Sequence, residues 1–140
     1  MKCNIYGALM IIALALIVSA PIAQAEARIN AQVPFDFTLD QKSVPAGEYE
    51  ISSLNNNVLV LRNLDTREAR LVIKPMHVQV SQTPGAKLVF HKYGDQYFLV
   101  QIWDGQGNIG IAFHESKREK ELQAANSVTH QPEVVVVAMK

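Results

Sequence analysis

Residues 88–103 read Leu88-Val89-Phe90-His91-Lys92-Tyr93-Gly94-Asp95-Gln96-Tyr97-Phe98-Leu99-Val100-Gln101-Ile102-Trp103. Two runs rich in aromatic and β-branched residues flank a Gly-Asp pair, the mark of a hairpin closed by a two-residue type II′ turn. With Tyr93 opposite Gln96, counting in twos puts Leu88, Phe90, Tyr97, Leu99 and Trp103 on one face, together with Lys92 and Gln101. His91 then lies opposite Phe98 and shares the other face with Val89, Val100 and Ile102. The segment from Asn108 to Phe113 returns through Asp104-Gly105-Gln106-Gly107. It is expected to add Ile109, Ile111 and Phe113 to the His91 face and to turn His114 the other way.

Both faces of this hairpin therefore carry large apolar groups. One must form the core; the other must be covered by a helix, by the remaining strands or by something outside the chain. Each aromatic can bury ~150–250 Å², so Phe90, Tyr97 and Trp103 with Leu88 and Leu99 exceed what a monomer usually leaves open. Phe90, Tyr97, Leu99 and Trp103 are accordingly the candidate ligand-binding residues.

Upstream, every odd position from Ile29 to Leu39 is apolar and every even one is polar or proline, the pattern of a strand with one buried face. Pro34 lacks a ladder donor, so this strand should lie at an edge or break in two. Val44-Pro45-Ala46-Gly47 turns the chain into Glu48–Leu54, and Asn55-Asn56-Asn57 makes the next turn. Strands are expected at Val58–Leu61, Ala69–Ile73 and Met76–Val80, with Pro75 and Thr83-Pro84-Gly85 as interruptions. Ser116 followed by Glu119 is a capping box that opens a helix over Ser116–Ala125. With only Leu122, Ala124 and Ala125 apolar, the helix reads as a largely solvated connector. Val134–Ala138 supplies a last strand, expected to be paired because an open valine run invites aggregation. Turn signals about every ten residues predict one antiparallel all-β domain, barrel or sandwich, of about eight strands with a short helix before the last.

The first 25 residues carry the pattern of an export signal: Lys2, the apolar run Ile5–Val18 and the small-x-small site Ala23-Gln24-Ala25. Residues 1–25 are thus expected to be removed and residues 26–140 to form the single domain, in the periplasm or outside the cell. Intact mass of the exported protein should place its amino terminus at Glu26; a mature chain that keeps Cys3 would overturn this. The apolar run is short of the ~20 residues a membrane helix needs. No stable membrane span is expected after cleavage.

The 115 residues beyond the signal contain no cysteine, and their twelve Lys and Arg against thirteen Asp and Glu give a charge near minus one. Disulfides and thiol chemistry are excluded there, and nucleic acid is not an expected partner. Neither His91 nor His114 belongs to a close metal-ligand spacing, so no metal site is expected and His91 should be partly buried with a hydrogen-bond partner. Asp36, Asp40, Glu48 and Glu50 occupy polar sides or ends of strands. Gly105, Gly107 and Gly110 lie between strands and do not open a helix, so they form a hairpin turn and not a phosphate loop. No nucleophile elbow or dinucleotide fingerprint occurs, and no catalytic residue or cofactor is assigned.

Val33-Pro34-Phe35-Asp36-Phe37, Val44-Pro45-Ala46-Gly47-Glu48-Tyr49-Glu50-Ile51, Phe90–Leu99 and the charged helix together resemble small exported β-rich bacterial proteins of unknown function. The resemblance covers most of the mature chain. It implies export and a β-rich fold, and transfers no catalytic residue. The Pro-Ala-Gly-x-Tyr turn also resembles that of carboxypeptidase-regulatory-like sandwich domains, where Gly supplies positive φ and Tyr starts the strand. The functional expectation is a non-catalytic exported domain that binds a small apolar ligand or an envelope component. A structural or interaction module of the envelope is the alternative, and an enzyme with a dispersed site the third. A closed cavity lined by Tyr and Trp would favour the ligand, an exposed apolar strip a protein partner, and convergent groups of shifted acidity an enzyme.

Overall fold

The computed structural model describes residues 28–55, 57–73, 76–79, 85–105, 109–126 and 131–140. The expected signal peptide, its cleavage point and the interruptions at Asn56, Pro75 and Thr83-Pro84 lie outside them. Among the described residues there are eleven strands and one helix: β1 Ile29–Val33, β2 Phe37–Leu39, β3 Lys42–Val44, β4 Gly47–Asn55, β5 Val58–Asn63, β6 Ala69–Ile73, β7 Met76–Gln79, β8 Ala86–Tyr93, β9 Gln96–Asp104, β10 Ile109–Ala112, α1 Lys117–Asn126 and β11 Glu133–Ala138.

These strands make two sheets packed as a sandwich. The smaller has the order β1-β4-β5-β6; the larger runs β11-β8-β9-β10-β7, with the β2–β3 hairpin attached to β9. Pairing is antiparallel except where Thr38 of β2 meets Phe98 of β9. Pro34 has both effects expected of it, since the alternating segment breaks there and β1 lies at an edge. At one corner, Asn30 and Lys140 exchange two 2.9 Å backbone hydrogen bonds that stitch the sheets together. At the opposite corner the chain passes from β6 into β7 and so changes sheet.

Each sheet contributes alternate residues to the central core. Val33, Tyr49, Ile51, Leu61 and Val72 from one meet Phe37, Leu39, Leu88, Phe90 and Leu99 from the other. Phe90 is fully enclosed, with the rings of Phe35 and Phe37 edge-on at 5.1 and 5.3 Å. Such T-shaped contacts are a favoured aromatic geometry. The Pro-Ala-Gly-x-Tyr turn follows its expected mechanics: Gly47 has φ +154°, and buried Tyr49 donates its hydroxyl hydrogen to the Pro45 carbonyl. A side chain at position 47 would meet Asp65 Oδ2 at 2.7 Å, the oxygen that accepts from Glu48 N.

The hairpin that opens the sequence departs from simple counting at one residue. Tyr93 pairs with Gln96 and Phe90 with Leu99, but Val89 pairs with Gln101, leaving Val100 as an extra residue on β9. This β-bulge exchanges the two faces for everything beyond it. Trp103 therefore leaves the face of Phe90, Tyr97 and Leu99 and joins Val89, Tyr93, Phe98 and Val100 in a second cluster on the outer side of the larger sheet. Ile102 moves inward, and with it Ile111 and Phe113, which pack against the central core and not on the His91 face. The four candidate binding residues thus do not share a face.

The last strand is paired to β8 through six residues. Only one side of it is core: Val135 and Val137 pack inward, whereas Val134 and Val136 remain 58% and 56% exposed.

Candidate functional site

Helix α1 is more than a connector. Ser116 caps it, its Oγ accepting from Glu119 N at 3.1 Å, as the capping box requires. The Glu119 side chain does not turn back to complete the box. It is 2% exposed, and Oε1 accepts a 2.8 Å hydrogen bond from Nδ1 of His91 on β8, whose side chain is 27% exposed. Tyr93 donates to the same oxygen at 3.4 Å and accepts from Gln123 Nε2 at 2.9 Å. His91 is thus partly buried with a partner, as expected, but Glu119 is not part of a solvated face.

Burial pushes the Tyr93 phenol above its ordinary range, against the hydrogen bond from Gln123 that lowers it, and the Glu119 carboxylate pushes it further up. Tyr93 therefore stays a protonated donor through neutral pH. With Leu122 packed beside it, this network clamps α1 over the outer cluster. Removing the carboxylate leaves the partly buried groups at His91 and Tyr93 without their acceptor. Glu119→Ala should lower stability by about 1–3 kcal/mol and shift Trp103 emission; an unchanged urea midpoint and spectrum would show that the clamp carries no energy.

The four expected binding residues are spread through the molecule. Phe90 and Leu99 lie in the central core, Tyr97 is half-buried with its ring stacked 3.8 Å from Phe35, and Trp103 is buried in the outer cluster. Trp103 Nε1 donates to Gln101 Oε1 at 3.1 Å, and Lys87 Nζ sits 5.5 Å from its ring centre. Gly110 lets this ring approach, because a Cβ there would come within 2.6 Å of it.

A cleft opens elsewhere, between β6 and the segment that leads from β10 to α1. One lobe, about 270 Å³, has Leu71–Ile73 on one side and Phe113, His114 and Ser116 on the other, with Phe98, Leu99, Asp40 and Glu119 completing it. A second lobe, about 320 Å³, continues past Asp40 between Ala69–Val72 and Leu39 and Lys42. Leu99 is the one expected binding residue in either lining.

The lining residues fix how β6 is presented. Successive residues of a strand point to opposite faces, so a cleft lined by every residue from Ala69 to Ile73 runs along the edge of β6 and not across a face. That edge is free: among the described strands β6 pairs only with β5. Arg70 reaches over the cleft to the Ser43 carbonyl at 3.3 Å. Asp40 and Gln41, both with positive φ, make the tight β2–β3 turn that forms the opposite wall. On the outer side, Leu71 and Ile73 are 69% and 75% exposed. They pair with half-buried Val60 and Val58 of β5, so an apolar strip borders the cleft.

Comparison with protein-family models, curated proteins and solved structures gave no match. Among the described residues, no three His, Cys, Asp or Glu side chains are placed to hold a metal ion, and no helix is long and apolar enough to cross a membrane. The sequence reading did not anticipate the cleft beside β6, although the strand carries a signal: Leu71, Val72 and Ile73 are consecutive apolar residues, so both faces of the strand are apolar while only Val72 is core.

Proposed function

We propose that this chain is an exported, non-catalytic interaction module of the cell envelope that engages a protein partner at β6. The observation that carries this is the exposed apolar strip of Leu71 and Ile73 beside the cleft. Monomers seldom leave large contiguous apolar surface open, and such surface marks interaction sites. A small apolar ligand calls for an enclosed cavity; this cleft is open along β6, and although Phe98 and Phe113 line it, neither Tyr nor Trp does. Phe90 and Trp103, which would have provided that cavity, are packed by the protein's own side chains.

The polar groups near the cleft have structural roles that this reading accommodates: Ser116 Oγ accepts from Glu119 N at the helix cap, and the Glu119 carboxylate accepts from His91 and Tyr93 in the clamp. Export rests on the signal pattern of residues 1–25.

Native mass spectrometry of the protein purified from its own host tests the proposal. The expected result is a complex with a second polypeptide, lost on Leu71→Lys while the melting temperature is kept. A chain that flies alone, or with a small molecule retained, would overturn it.

A further inference from the structure

We infer that the cleft takes a single extended segment of a partner polypeptide, which adds to β6 as a further strand of the smaller sheet. This rests on the interaction-module reading and specifies its chemistry. The backbone N–H and C=O groups along the free edge of β6 are directional, and an extended backbone is the ligand that satisfies them in series. Five residues of β6 offer about 17 Å of edge, enough for a segment of similar length.

The walls decide against a folded second copy. β6 forms one side, and the β2–β3 turn with the segment after β10 forms the other. A single extended segment needs only one strand's width beside β6, ~4.8 Å, whereas a second copy would have to bring its own sheet past the wall that faces β6. Arg70, the one charge on the strand, bridges the cleft to the Ser43 carbonyl, so an added strand has to displace that hydrogen bond. Proline and bulges, which also protect exposed edges, are absent from Ala69–Ile73.

The side-chain preference follows from alternation. Residues of the added strand that point inward meet Val72, Leu99 and Phe113, and those that point outward extend the row of Leu71 and Ile73 over Val60 and Val58. The partner segment is therefore apolar or β-branched on both sides through its centre. Polar residues belong at its ends, where His114 lines one lobe and Lys42 the other, while Asp40 stands where the lobes meet.

The probe is a short peptide alternating valine and threonine with a lysine at each end, beside the same peptide N-methylated at alternate residues. Amide spectra of the full exported chain read the site. Expected are shifts and slowed hydrogen exchange confined to β6 and its cleft, with binding at least about tenfold weaker for the N-methylated peptide. Leu71→Lys and, independently, Ile73→Lys should also weaken it; both positions are mostly exposed, so the fold should survive. Equal binding of the two peptides, or shifts centred on Trp103, would overturn strand addition. So would a dimer in light scattering that Leu71→Lys dissolves, since it would assign the edge to a second copy. If the host partner seen by native mass spectrometry is retained by both lysine variants and the peptide does not compete, the interaction module stands and the β6 edge falls. If the peptide binds as expected and the host protein carries no partner, the edge chemistry stands and the envelope role falls.

Discussion

A chain that ends at Pro132 is expected to aggregate on expression. Its loss removes the six-residue ladder between β11 and β8, the half-buried Val135 and Val137, buried Met139 and the two bonds between Asn30 and Lys140 that tie the sheets together. Full burial of a valine or methionine contributes ~1.5–3 kcal/mol, and a domain of this size holds only about 5–15 kcal/mol in total. The truncation also turns β8, which carries Leu88 and Phe90, into an open edge ready to pair with another chain. Point variants separate the two sides of the strand. Met139→Ala should cost about 2–4 kcal/mol, whereas Val134→Thr and Val136→Thr should stay within about 0.5 kcal/mol because both point to solvent. Urea midpoints and size-exclusion profiles read each case. A truncated chain that stays soluble with an unchanged midpoint would make β11 a loose tail.

Most strands were legible because turn chemistry and alternation are local, although eleven are described where about eight were expected. The strand β3, Lys42–Val44, was missed because the Asp40-Gln41 turn contains no glycine. Gly94-Asp95 closes its hairpin as expected, and the odd positions from Ala31 to Leu39 supply Ala31, Val33, Phe37 and Leu39 to the core. The second half of β9 was not legible. Phe98-Leu99-Val100 and Ile102-Trp103 are apolar on both sides of Gln101, so no polar alternation fixes the register, and an inserted residue leaves no trace in the pattern. The capping box identified Ser116, but the turn of Glu119 toward His91 depends on a contact 28 residues away. The cleft escaped for a similar reason. Sequence locates β6 and its apolar residues, whereas its place at the end of the order β1-β4-β5-β6 is set by long-range pairing that no local pattern encodes.

Trp103→Ala is expected to lower stability by about 3–5 kcal/mol and to leave partner binding at β6 intact. The side chain is 6% exposed, lies over Gly110, and takes no part in the lining of either lobe of the cleft. Its removal opens a void over Gly110 in the outer cluster. Far-UV circular dichroism in urea measures the change without relying on the lost fluorophore. Gly110 offers an internal control. Gly110→Ala alone drives a methyl group into the indole, whose carbons lie 2.6–2.8 Å from the new Cβ, and should cost about 1–3 kcal/mol through overpacking. In the double variant the methyl enters the space the indole has left, so the two losses should sum to more than the measured one by at least ~0.5 kcal/mol. Strict additivity would mean that the bulge at Val100 does not bring Trp103 and Gly110 onto one face. A stable Trp103→Ala protein that has lost its host partner would instead return the binding site to the aromatic hairpin.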